Sequence, residues 1–324
     1  TGRASRQRRP LPPDATAPPH WRTEGPTWPH HQRRRFVAAG GLTWHVQHWP
    51  APANTATATK VLLLHGTGGS THCWRDVAPA LAEHAEVAAL DLPGHGFSTA
   101  PSDPQGMSLQ GMAAGVAALL AAWQWQPALV VGHSAGCAVA VRMALDGHVP
   151  QARLLIGIGA ALLPWRGLPG RWFGPMARGL AALGPVPKWF AAWANQPGAV
   201  QRLADSTGST LSEASLALWQ RLVARPEHAQ AALRMMAAWD LPGLQHDLPR
   251  LATPLALLHG SRDQTVRPSQ SYRAAQHLAP AMRAGVHEWP LLGHLAPEEA
   301  PQEVAQSIWQ VWAPYGGKAA DLLG

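Results

Sequence analysis

Three observations predict an α/β fold with a mostly parallel central sheet, helices on both of its faces, and a helical insertion. First, the runs Val61–Leu64, Val87–Leu90, Leu129–Val131, Leu154–Ile158 and Leu255–Leu258 are apolar throughout and alternate with helical stretches. Strands of a parallel sheet buried on both faces read this way. Second, the run at 129–131 leads into Gly132-His133-Ser134-Ala135-Gly136 and then a helical stretch, so a lone Ser sits between two glycines where a strand turns sharply into a helix. Third, the alternation stops from about 163 to 247, where helix follows helix with Pro and Gly breaks, and then resumes. At 324 residues, one large domain carrying an insertion fits better than two independent domains.

In chain order, residues 1–33 are rich in Pro, Arg and Thr with no apolar period, and are expected to be a disordered basic extension. The runs 36–38 and 42–49 flank Gly40-Gly41, a hairpin signal. The strand at 61–64 ends in His65-Gly66-Thr67-Gly68-Gly69. A helix over 74–83, a strand at 87–90, the turn 91–96 and a helix over 108–123 then precede the strand that leads to Ser134. A further strand at 154–158 closes the first half of the core, which spans 34–162. The insertion at 163–247 is expected to form a helical cap; it holds six of the 16 Trp in about a quarter of the chain, so some rings should line an apolar chamber. The core resumes over 248–314 with a strand at 255–258, a helix near 269–278, a strand at 285–289 and a helix over 297–312; 315–324 should be frayed. No internal repeat is visible.

The formal charge of +7 is concentrated at the front: eight Arg against Asp14 and Glu24 give residues 1–35 a charge of +6, leaving +1 for the rest. A nearly neutral body argues against a nucleic-acid partner. The arm reads as a solvated extension, or in the sharper reading as peripheral contact with an anionic membrane or an acidic partner. Two Cys, Cys73 and Cys137, show no metal or redox spacing and suit a reducing compartment. No H-E-x-x-H is present, and Gly66-Thr67-Gly68-Gly69 is not followed by the Lys-Ser/Thr of a phosphate loop. No run approaches a membrane span and no leader pattern opens the sequence, so a cytoplasmic location is the default expectation.

A serine hydroxyl needs a base, and the base needs a carboxylate to orient it. In α/β-hydrolases, which the strand–Ser–helix elbow at 129–136 resembles, these follow in the chain order Ser, acid, His, each on a loop after a strand. The loop after 255–258 offers Asp263, and the loop after 285–289 offers His294. Rivals are worse placed: Asp240 and Asp247 fall in the helical insertion, His259 and His287 lie within strands, and His95 follows a Pro-Gly turn. Ser134, Asp263 and His294 are therefore the candidate nucleophile, acid and base. The candidate oxyanion donors are the amides of Ala135, directly after the serine, and Thr67, on the glycine-rich loop after the 61–64 strand. Trp165, Trp172, Trp193, Trp239 and His133 are the candidate pocket residues, with His65 and His133 also expected to brace loops. No cofactor or metal is required for this chemistry, and Ser in place of Asp at the elbow argues against dehalogenase or epoxide-hydrolase chemistry.

The segments HGTGGSTHCWRD (65–76), DLPGHGFS (91–98), GHSAG (132–136), HGSRDQTVRP (259–268) and LGHLAPEE (292–299) resemble the α/β-hydrolase superfamily. Together with FVAAGGLTWHVQHW (36–49), the Gly159–Leu163 stretch and MMAAWDLPGLQHDLPRL (235–251), they resemble the BchO family of magnesium-chelatase accessory proteins, over about residues 28–313. The resemblance implies an α/β-hydrolase fold, a place in bacteriochlorophyll synthesis near magnesium insertion, and association with the chelatase. It does not fix a reaction. The leading expectation is a serine hydrolase cleaving an ester or related acyl bond of a bulky apolar substrate, a hydrophobic small molecule with a tetrapyrrole as the candidate. The alternatives are a non-catalytic tetrapyrrole-binding or chelatase accessory protein and, third, a C–C bond hydrolase.

Overall fold

The computed structural model describes residues 17–52, 58–164 and 185–316. Its strands are β1 (Arg34–Ala39), β2 (Leu42–Trp49), β3 (Thr59–Leu64), β4 (Ala85–Leu90), β5 (Leu129–His133), β6 (Leu154–Ile158), β7 (Leu255–Gly260) and β8 (Arg283–Trp289). They form one sheet in the order β1-β2-β4-β3-β5-β6-β7-β8. β1 and β2 make the hairpin expected from Gly40-Gly41, both at positive φ, and β2 meets β4 antiparallel; every later pairing is parallel. The carboxyl ends of β3 and β5 to β8 therefore open on one edge, where an α/β sheet builds its site.

The helices are α1 (Pro19–Glu24), α2 (Val77–Ala82), α3 (Leu109–Trp123), α4 (Ala135–Leu145), α5 (Val186–Ala194), α6 (Ala199–Ser206), α7 (Glu213–Val223) and α8 (Pro226–Ala238). They continue with α9 (Leu241–Asp247), α10 (Pro268–His277), α11 (Ala296–Glu299) and α12 (Pro301–Trp312). Side chains that alternate along each strand feed two cores. Leu62, Leu64 and Val130 pack with Met112 and Val116 of α3 and Val139 of α4. On the other face, Leu63, Val131 and Ile156 pack with Leu81 of α2 and Ile308 of α12. α5 to α9 lie between β6 and β7, so the strand rhythm breaks where the sequence reading placed a helical insertion. No helix among the described residues is long and apolar enough to cross a membrane.

The expected disorder of residues 1–33 does not extend to residues 17–33. Trp21 and Trp28 are buried with Phe97 of the core and Leu218 and Leu222 of α7, which fastens this segment across the insertion. Backbone contacts reinforce it: Gln47 Nε2 donates to the Pro29 carbonyl at 2.6 Å, and the Arg221 guanidinium donates to the Glu24 carbonyl at 2.9 Å. Two large rings suffice to hold a short segment whose composition carries no periodic signal. Residues 1–16 and 317–324 lie outside the described residues.

Candidate active site

The turn between β5 and α4 places Ser134 at φ +50°, ψ −114°, one of three non-glycine residues at positive φ among the described residues. Such a backbone costs on the order of 1–3 kcal/mol and persists only where its surroundings impose it. Here the Ser134 amide donates to the Ile158 carbonyl at 2.8 Å, and the Ser134 carbonyl accepts from the Ala161 amide at 3.2 Å. The flanking glycines are required by space: a Cβ on Gly132 would stand 2.4 Å from the Cys137 amide nitrogen, and one on Gly136 2.2 Å from the Leu64 carbonyl oxygen. Ala135 opens α4, so its amide is among those a helix leaves without an internal acceptor.

Asp263 and His294 come from the loops after β7 and β8 and meet at 2.8 Å, Oδ2 to Nδ1, with both side chains buried. The other Asp263 oxygen, Oδ1, accepts the amides of Thr265 at 2.9 Å and Val266 at 2.8 Å, which fixes the carboxylate plane. Gly159, at φ +52° after β6, leaves room for the pair: a Cβ there would stand 3.0 Å from both Asp263 Oδ2 and His294 Nδ1. His133 lies beside His294 with ring centroids 4.8 Å apart and planes tilted by 48°, and its Nε2 lies 2.8 Å from the His294 carbonyl. Burial, with His294 beside it, pushes the His133 imidazole down to about 3, so it is neutral and donates from Nε2 to the His294 carbonyl.

The turn Gly66–Gly69 abuts the serine. Its closing bond runs from the Gly69 amide to the Gly66 carbonyl at 3.0 Å, and Gly68 takes φ +75°. A Cβ on Gly66 would lie 3.0 Å from the Ser134 Cβ, and Thr67, the next residue, borders the same cavity as Ser134. His65 braces this turn, with Nδ1 2.7 Å from the Gly66 carbonyl and Nε2 accepting the Leu92 amide at 2.9 Å.

Ser134, Ala135, Thr67 and His294 share the wall of one cavity of about 950 Å³, and α5 to α8 supply much of the opposite wall. Of the candidate pocket residues, Trp239 and His133 line it. Trp193 instead packs against Ala194, Val200 and Val223, because three residues along α5 it is Phe190 that turns to the cavity. Trp165 and Trp172 fall outside the described residues. The sequence reading missed Phe190 and Trp219 as lining residues.

It also missed how the insertion ties the loops down. The Thr207 carbonyl, between α6 and α7, accepts the amides of both Gln264 (3.1 Å) and His294 (3.3 Å). Ser209 Oγ accepts the Leu295 amide at 2.8 Å. No side-chain type marks such a latch, since two of its three bonds use a backbone oxygen. Asp91, directly after β4, reads in the sequence only as part of the turn 91–96. Buried, it accepts His45 Nδ1 at 2.7 Å, the Thr71 amide at 2.7 Å and the Phe97 amide at 2.8 Å. Burial alone would raise this carboxyl, but the His45 contact and these donors hold it below the usual carboxylate range.

One group among the described residues has metal-ligand chemistry: His72, Cys73 and Glu298, with ligand atoms within 4.8 Å of one another. Two of its three side chains already have close hydrogen-bond partners. Glu298 accepts Trp219 Nε1 at 2.9 Å and Arg75 Nη1 at 3.2 Å, and His72 Nδ1 sits 2.7 Å from Ser70 Oγ. The Arg75 guanidinium also opposes a second cation there. The cluster is a buried, hydrogen-bonded group of which Cys73 reaches the cavity wall. Burial raises Glu298 to about 7 against the lowering effect of Trp219 and Arg75, and burial holds the Cys73 thiol neutral.

The model of the family described as alpha/beta hydrolase fold matches residues 59–301. A relative named magnesium-chelatase 30 kDa subunit, from Rhodobacter capsulatus, is 37% identical over 284 residues, covering 87% of this chain and 95% of that protein. A pimeloyl-[acyl-carrier protein] methyl ester esterase from Xanthomonas oryzae is 31% identical over 242 residues, covering 72% of this chain and 89% of its own. Among solved structures, the epoxide hydrolase CorEH superposes with a TM-score of 0.69 at 24% identity, over 87% of this chain and 98% of that one, a likeness of fold.

Proposed function

Because the chain belongs to the α/β-hydrolase family, we propose that it is a serine hydrolase that cleaves an ester or related acyl bond of a bulky apolar substrate. The observation that carries this reading is the 2.8 Å contact between Asp263 and His294, with His294 and Ser134 on the wall of the same cavity. In this reading Ser134 Oγ attacks the acyl carbon while its proton passes to His294 Nε2. Asp263, anchored by two amides, holds Nδ1–H and stabilises the imidazolium. The negative charge that develops on the acyl oxygen falls to the amides of Thr67 and Ala135, a contribution of about 3 kcal/mol per donor. His294 then gives the proton to the departing alkoxide, and water repeats the sequence on the acyl-enzyme. A hydroxyl at the elbow supports acyl transfer over the carboxylate attack expected of an epoxide hydrolase.

The cavity has the volume of a site for a large ligand and a wall that is mainly apolar. With 37% identity to a protein named as a magnesium-chelatase subunit, this supports a role beside magnesium insertion in bacteriochlorophyll synthesis, with a tetrapyrrole ester as the candidate substrate. The same identity favours a second reading, in which the chain serves the chelatase by holding a tetrapyrrole without turnover.

A fluorophosphonate probe tests the first reading. Stoichiometric labelling that Ser134→Ala abolishes is the expected result, and a folded wild-type protein that stays unlabelled would leave the binding reading in its place. Pigment synthesis separates the two in the cell: a Ser134→Ala chain that restores it fully in a deletion strain overturns the catalytic role.

A further inference from the structure

His228 is the third residue of α8, buried, and set apart from the serine, acid and base by sequence and by element. Both of its ring nitrogens are committed to backbone on the core. Nδ1 lies 3.1 Å from the Gly96 amide, which can only donate, so Nδ1 is the unprotonated nitrogen. Nε2 lies 2.8 Å from the Gly68 carbonyl, which can only accept, so Nε2 carries the hydrogen. The two bonds fix a single neutral tautomer. Burial, with His95 and Arg225 nearby, drives the imidazole well below its ordinary value and keeps it in that form.

What the ring holds is the turn that contains Thr67. Gly68 is the third residue of Gly66–Gly69, where the left-handed φ of +75° matches the type II arrangement. With glycines at three of its four positions, this turn has little internal stiffness. Its rigidity must come from outside. His65 holds it from the core side through Gly66, and His228 holds it from α8 through Gly68. α8 adds Met235, whose Sδ lies 3.6 Å from Thr67 Oγ1, and Ala231, whose Cβ would stand 2.7 Å from any Cβ on Gly94. The helix is packed closely enough along this seam to act as a fixed support.

We propose that His228 is a positioning residue that couples the helical insertion to the oxyanion turn, so that the Thr67 amide is aimed only while α8 is seated on the core. This rests on the serine-hydrolase reading above. A misplacement of such a donor by about 1 Å costs up to roughly 100-fold in rate with little change in ground-state binding.

Two substitutions separate the two bonds of the ring. Gln places an amide nitrogen near the position of Nε2 and can still donate to Gly68, while Asn places an oxygen near Nδ1 and can only serve Gly96. His228→Asn is expected to lower kcat on a p-nitrophenyl ester about 10- to 100-fold with KM within about threefold. Affinity for a boronic acid that forms a tetrahedral adduct on Ser134 should fall by the same factor. His228→Gln should keep most of the activity at a comparable melting temperature. Equal losses in both variants that track their melting temperatures, or an unchanged kcat in His228→Asn, would overturn the proposal. Amide hydrogen exchange of residues 66–70 is an independent readout: His228→Asn must lower protection there and His228→Gln must not. If the wild-type protein turns over no ester, the hydrolase reading fails by itself, and the exchange result still decides whether His228 holds the turn.

Discussion

Replacing Asp263 by Asn exposes the proposed mechanism most directly, because the structure dictates which way the new amide must face. Oδ1 of Asp263 receives two backbone amides, from Thr265 and Val266, and Oδ2 receives His294 Nδ1. An Asn there has one oxygen and one NH2. Turning the NH2 toward two backbone donors would leave both amides without an acceptor, at about 1–3 kcal/mol each. The oxygen therefore stays with Thr265 and Val266, and the NH2 faces His294. Nδ1 must then accept, the imidazole hydrogen moves to Nε2, and Nε2 can no longer take a proton from Ser134. Loss of the correct tautomer with geometry intact is worth on the order of 10⁴ in kcat, or roughly 5.5 kcal/mol of barrier.

The same reasoning predicts almost no change in stability for Asp263→Asn, since every hydrogen bond finds a partner. Asp263→Ala, in contrast, strands both backbone amides and should lower the melting temperature. The assay is kcat on an activated ester beside thermal melts of both variants. Activity of Asp263→Asn within tenfold of wild type would refute the assignment of His294 as the base. A melting temperature for Asp263→Asn that falls as far as that of Asp263→Ala would refute the hydrogen-bond argument behind it.

Three further perturbations probe the scaffold. Gly136→Ala puts a Cβ 2.2 Å from the Leu64 carbonyl oxygen, backbone against backbone, and is expected to cost at least about 2 kcal/mol in urea unfolding; an unchanged midpoint contradicts the packing described. Trp21→Ala removes a buried ring that joins the N-terminal segment to Phe97 and should cost about 3–5 kcal/mol, whereas a segment that lay loose would show no shift. Glu298, raised to about 7 from 4.5, gives a pH signature: between those values the native state holds a proton that the unfolded chain has released, so stability falls as pH rises. The slope from this group reaches about 1.4 kcal/mol per pH unit, and urea midpoints measured at pH 5, 6 and 7 should show it in wild type and a flatter dependence in Glu298→Gln.

The parallel strands were legible in the sequence because a strand buried on both faces must be apolar at every position, as Leu62 to Leu64 and Leu154 to Ile158 are. The elbow was legible because Gly132 and Gly136 are forced by backbone contacts that no other residue type could survive. The placement of Asp263 and His294 followed from topology, since each had to sit at the carboxyl end of a strand. The support around them was not legible. Thr207 acts through its carbonyl, which every residue possesses, and Asp91 and His228 act on backbone amides and carbonyls brought near only by folding. Amphipathic helices announce that one face is buried, yet nothing in α5 told Phe190, which meets the cavity, from Trp193, which does not.

A His–carboxylate contact is common in this chain and decides nothing alone. Four occur among the described residues: His45 with Asp91 at 2.7 Å, His48 with Glu86 at 2.9 Å, His259 with Glu288 at 3.1 Å, and His294 with Asp263 at 2.8 Å. By distance the first is the tightest. His45, though, is enclosed by the rings of Trp21, Phe36 and Phe97, and its Nε2 is buried with no partner, so a proton taken there has no route to a substrate. His48 stands edge-on to Trp123, and its Glu86 is shared with Trp125 Nε1, a contact that secures β2 to β4. His259 and Glu288 are register partners on neighbouring strands, and the His259 ring abuts Tyr272 of α10. Of these four, only His294 lies on the cavity wall that also holds Ser134, Ala135 and Thr67; two further amides lock Asp263, but two also lock Asp91, so that feature does not separate them. What distinguishes the proposed base from the other three histidines is therefore access: the same pair of groups fastens the core where it is sealed, and the proposed proton transfer needs the one that borders the chamber.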